Sequence, residues 1–145
     1  MKLKVKKLDE RAVIPTYATP NSAGADLYNK AGEDVTVPPH GTAFIKTGLA
    51  VEIPEGYVGL VFARSGIASK RGLAPANKVG VIDSDYRGEW MVALHNHSDV
   101  PATVEGGERI AQVVVVPYVQ GVFTEVDELS DTERGEGGFG STGVK

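Results

Sequence analysis

An all-β fold, a jelly-roll-like antiparallel β-barrel or sandwich with one short helix, is what three features of this sequence predict. Apolar residues alternate with polar or small ones in short runs, the period-two signature of strands with one covered face. Clusters of Gly, Pro, Asn and Asp break those runs at close intervals, which favours a sandwich, jelly roll or barrel. No long helical pattern separates the strands, and a parallel α/β sheet needs such crossovers.

The elements follow in order. From Met1 to Leu8, Leu3 and Val5 alternate with Lys2, Lys4 and Lys6; no apolar run follows, so the segment reads as a strand and not a signal peptide. Val35 to Val37, Tyr57 to Phe62, Met91 to His97 and Ala102 to Val104 repeat the alternation. Turns are predicted at Pro38–Gly41, Pro54–Gly56, Asp85–Gly88 and Glu105–Gly107. The helix runs from Ser65, a good N-cap, to about Arg71, with Gly72 as its stop. Val113 to Val116 is continuously apolar, so it should be covered on both faces, by a second sheet or a neighbouring subunit. Ordinary burial tendency puts Trp90 and Met91 in the core. From Glu128 onwards Asp, Glu, Ser, Thr and Gly dominate. The division is therefore a β domain over 1–127 and a flexible C-terminal arm over 128–145.

With 145 residues, 41% of them hydrophobic, the chain fits one domain with a buried core. Having no cysteine, it can have neither a thiol nucleophile nor a Cys-ligated zinc site, and it suits a reducing, cytoplasmic setting. No segment approaches the roughly 20 apolar residues of a membrane-spanning helix. A net charge of −4 excludes the basic face of a nucleic-acid binder, so any nucleotide partner should be a small molecule.

Several residues can carry chemistry. The tail's Gly135–Gly140 spells GxGxxG, but a dinucleotide-binding loop must follow a strand and open a helix, and only five residues remain after Gly140. The choice left is a Gly-rich disordered tail or an arm whose Arg134, Ser141, Thr142 and backbone N–H groups wrap phosphates while Phe139 stacks on a base. Arg64-Ser65-Gly66 opens the helix, where free N–H groups, a cation and a hydroxyl make either a phosphate site or an ordinary capped turn. Asp83 ends an apolar run and Asp26 sits inside one. Such carboxylates either activate water or hold a hydrated Mg²⁺, unless they merely serve turns. His95 and His97 share a strand face, but no third ligand lies near in sequence, so they read as surface histidines and not a zinc site.

Five segments in order, Ser22–Tyr28, Ala63–Ala68, Gly80–Gly88, Gly107–Gln112 and Arg134–Gly143, resemble the motifs of the trimeric dUTPase family over nearly the full chain. That resemblance implies a Mg²⁺-dependent homotrimer that hydrolyses dUTP to dUMP and pyrophosphate at sites shared between subunits. It implies that Asp83 activates the attacking water and that Asp26 contacts the Mg²⁺ hydration shell. Arg64, Ser65, Gly66 and Gln112 would then hold phosphates, and Asn77, Val81 and Ile82 would read uracil. Tyr86 would pack on the sugar and Met91 would line the pocket. Arg134, Phe139, Gly140 and Ser141 would close over the nucleotide. The alternatives are a dCTP deaminase of the same superfamily, which looks for Glu where this chain has Asp83, and a non-catalytic nucleotide-binding regulator.

Overall fold

The computed structural model describes residues 1–139 and 141. Eleven strands and one helix follow in the order β1 (Lys4–Lys7), β2 (Ala25–Tyr28), β3 (Val35–Val37), β4 (Thr42–Lys46), β5 (Leu49–Glu52), β6 (Tyr57–Phe62), α1 (Ser65–Arg71), β7 (Leu73–Pro75), β8 (Gly80–Ile82), β9 (Met91–Asn96), β10 (Ala102–Val104) and β11 (Arg109–Pro117). They form a four-stranded sheet β2-β11-β6-β8, a three-stranded sheet β4-β9-β7 and the pairs β1-β5 and β3-β10, all antiparallel. No sheet closes on itself, so of the two expected architectures the jelly-roll-like sandwich stands and the closed barrel does not.

The alternation seen in the sequence becomes the core. In β9, Val92 and Leu94 are buried while Met91 is exposed, and Leu27, Val37, Ile45, Leu73, Val104 and Ile110 complete one cluster against them. Burying such a side chain fully stabilises by about 1.5–3 kcal/mol. Trp90 is in this core as expected; Met91 is not, because the first position of β9 points outward and leaves it 47% exposed. Val113 is buried, but Val114, Val115 and Val116 are only half-buried, so the expected cover on both faces is incomplete within one chain.

α1 occupies the predicted residues, with one correction at its start. Arg64, in extended conformation, is the N-cap and makes no side-chain capping bond, while Ser65 already lies in the first turn. Its carbonyl accepts a bond from Ser69 Oγ. Gly72 ends the helix in the left-handed conformation at φ 66°, where a side chain would be strained.

After Pro117 no strand or helix occurs among the described residues, and nearly all the rest of the chain is exposed. Regular structure thus stops well before residue 128.

Candidate active site

Two cavities hold most of the expected residues, on opposite sides of β6. Adjacent strand residues point to opposite faces, so Val61 lines one and Phe62 the other. Among the described residues the two cavities share no lining side chain.

The first, of about 300 Å³, gathers Asn77, Val81, Ile82, Asp83, Tyr86 and Met91 around the β8 hairpin. β8 is the edge of its sheet, so one row of its N–H and C=O groups has no strand partner and can meet a flat polar ligand. Asn77 precedes it in a tight turn, with Val79 N–H donating to Asn77 O at 2.7 Å. Asp83 stands exposed just past the strand end, and its carbonyl accepts the Tyr86 N–H at 3.2 Å, which begins the turn back to β9. The Tyr86 hydroxyl donates to Glu89 O at 3.1 Å. Gly88 leaves room for this ring: a Cβ at that position would meet Tyr86 and push it aside. Phe44, which has no polar or turn-like context to mark it in the sequence, and the core residue Trp90 also line this cavity.

The second, of about 360 Å³, gathers Asp26, Arg64, Ser65 and Gln112 with Ser22, Ala23 and Gly24. Gln112 pairs with Phe62 on one side and Asp26 on the other, so β11 sets all three in one row. Its Nε2 donates to Ala63 O at 2.9 Å. Asp26 is buried, at 6% exposure, and its oxygens are both taken: Arg64 Nε donates to Oδ1 at 2.6 Å and Arg109 Nη1 to Oδ2 at 3.3 Å. Gly66 lies just beyond, with Arg64, Lys70, Arg71 and Arg109 around a separate basic depression. The α1 first turn has no acidic side chain, but the depression also holds Glu108, which pairs with Arg71, while Arg64 and Arg109 pair with Asp26, so Lys70 and the unengaged guanidinium nitrogens carry its positive character.

The tail stands apart. Arg134 Nε donates to Gly137 O at 2.8 Å, and Phe139 and Ser141 are exposed; none of these lines either cavity. Gly140 and Thr142 lie outside the described residues.

The dUTPase family profile matches residues 10–143. The chain belongs to the dUTPase family. A deoxyuridine 5'-triphosphate nucleotidohydrolase of Nautilia profundicola is 53% identical over 143 residues, covering 99% of each chain. The dUTPase of Staphylococcus bacteriophage 80alpha, solved with dUPNHPP, superposes at TM-score 0.91 with 36% identity and 99% of each chain covered. A single-residue mutant of the dUTPase from phage phi11 of S. aureus, described as revealing the coordination of a structural Mg(II) ion, reaches TM-score 0.78 at 30% identity, covering 88% of this chain and 98% of that one.

For this dUTPase-family chain, the described residues of one subunit suit a hydrated Mg²⁺ carried by the substrate better than an ion coordinated directly by several side chains. Among the described residues no three His, Asp or Glu side chains cluster for a metal. Asp26, expected to contact the hydration shell of the ion, accepts one guanidinium bond on each oxygen, which leaves lone pairs for the waters of a hydrated Mg²⁺. Among the described residues no helix is long and apolar enough to cross a membrane.

Proposed function

We propose that this chain hydrolyses dUTP to dUMP and pyrophosphate by attack of water on the α-phosphate, within a homotrimer whose sites are shared between subunits. The observation that carries the reading is the separation of two complementary half-sites, a hairpin cavity with Asp83 and an arginine-lined cavity with Ser65 and Gln112. One nucleotide spans both only if a hairpin of one subunit faces the phosphate cavity of another.

In that assembly the exposed edge of β8 and the Asn77 turn hold the uracil, with Met91 lining the pocket. The Tyr86 ring packs on the deoxyribose, where a 2′-hydroxyl would clash. Arg64, Ser65, the Gly66 backbone and Gln112 hold the phosphates, and Mg²⁺ enters bound to the triphosphate, as part of the substrate. Asp83 takes a proton from the attacking water, the new P–O bond forms on the α-phosphorus, and the bond to the departing pyrophosphate breaks. Before that step the arm, over 128–145, closes with Arg134, Gly140 and Ser141 near the terminal phosphates and Phe139 on the base, excluding bulk water and adding charge. Such an activity, in the cytoplasm, supplies dUMP and keeps uracil out of DNA.

The test is to offer dUTP, dCTP, dTTP and UTP, each with Mg²⁺, and to follow pyrophosphate and ammonia. Pyrophosphate from dUTP, and far less from the others, is expected. Ammonia from dCTP with dUTP untouched would falsify the reading in favour of a deaminase, and no turnover of any nucleotide would leave a binding regulator.

A further inference from the structure

We infer that Arg109 is a positioning residue for the proposed reaction: through Asp26 it fixes the guanidinium of Arg64 that meets the phosphates. The inference rests on the function proposed above. Its origin is a fault in the β2-β11 ladder. From Val113↔Ala25 through Gln112↔Asp26 to Ala111↔Leu27 the register is regular, and then it shifts, so that Arg109 and not Ile110 faces Tyr28. In an unbroken ladder Arg109 would share the face of Ala111 and Val113, which are buried, and would point away from Asp26. The bulge turns it to the face of Asp26, Tyr28 and Gln112, while Ile110 and Ala111 are both buried in succession. A bulge that re-aims one side chain is a built feature, and here the side chain it re-aims is a cation delivered to a buried carboxylate.

The contacts then run in series. Arg109 Nη1 donates to Asp26 Oδ2, and Asp26 Oδ1 accepts Arg64 Nε. The Asp26 backbone is itself held, its N–H donating to Thr16 O at 2.8 Å. Arg64 is gripped only through Nε, so among the described contacts its two terminal nitrogens stay available to phosphate oxygens. Arg109 lines neither the hairpin cavity nor the phosphate cavity; it borders the adjoining depression with Arg64 and Gly66, and its guanidinium is spent on Asp26. Without it Asp26 would be a buried carboxylate with one partner, free to rotate and to draw Arg64 out of line.

The experiment measures R109Q, R109K, D26N and the R109Q/D26N double variant for dUTP turnover, dUMP affinity, oligomeric state and melting temperature. R109Q should keep its fold, lose only about two- to threefold in dUMP affinity, because the base half-site is untouched and one phosphate alone feels Arg64, and lose about tenfold in kcat/KM, the scale of a misplaced binding group. R109K, which retains the cation, should recover most of that loss. In the D26N background R109Q should cost almost nothing further, since the path runs through Asp26. Wild-type turnover in R109Q, equal losses in R109K and R109Q, or additive losses in the double variant would each overturn the inference. If R109Q does not fold, R109K is decisive: failure of both to fold makes Arg109 a stability residue, and near-normal turnover in R109K upholds its role. A wild-type chain that leaves dUTP intact would sink the function itself, an outcome distinct from any of these.

Discussion

Gly24 is constrained by Gln112 and not by its own backbone. A Cβ built there would collide with the Gln112 Oε1 atom, the far end of a flexible side chain and not backbone. G24A should therefore fold and melt close to the wild type, because Gln112 can swing away. It should nonetheless lose roughly tenfold in kcat/KM, because the amide that now donates to Ala63 O and faces the phosphate cavity is displaced. Calorimetry with steady-state kinetics checks this, and unchanged kinetics would remove Gln112 from the phosphate-binding set. Gly88 has the same relation to Tyr86 in the other cavity. In both places a glycine makes room for a functional side chain, which a sequence shows only as a small residue near a polar one.

At the scale of elements, the tail and the strands differ in what their sequence discloses. Cutting the chain after Asp131 removes Arg134, Phe139 and Ser141, all exposed and outside the core cluster, so the melting temperature should stay within a few degrees. If the arm closes over substrate, kcat/KM should fall at least about a hundredfold, since a lid supplies both charge and exclusion of water. Activity near wild type would make the arm a spectator, and loss of the oligomer would make it structural. Strands with one wet face, such as β3, β6 and β10, were legible to the residue because their alternation is a direct image of burial. β2 was not legible as a strand: Ala25, Asp26 and Leu27 are all buried, so no alternation marks it. Only an aspartate in an apolar run hinted at its importance. Asp83 and the β8 hairpin could be placed from an apolar run ending in a turn, but the partners of Asp26 could not. They come from β11 and from the start of α1, distant in sequence, and one of them depends on a bulge with no local signature.

At the scale of the whole molecule, the proposed trimer has to bring parts of different subunits together. Val119, Val122, Phe123 and Leu129 are almost entirely exposed beyond β11, and cover by a neighbouring subunit of the proposed trimer would take that apolar surface out of water. The two cavities, on opposite sides of β6, each lack what the other has: one has Asp83 without the arginines, the other Arg64 without Asp83. If a site joins the hairpin of one subunit to the arginine cavity of the next, two defective chains can repair each other. D83N should retain a sound phosphate cavity, and R64A a sound hairpin, yet each alone should be nearly inactive. Unfolded together in equal amounts and refolded, they should assort at random into closed rings, so that about a third of the sites in each mixed trimer, and about a quarter of all sites, combine two intact halves. Turnover should rise from near zero to about that fraction of the wild type, whereas mixing without refolding should give nothing until subunits exchange. Equal inactivity before and after refolding, with trimers present, would mean that each chain builds its site alone, and the separation of the two cavities would then have to be closed by movement within one subunit.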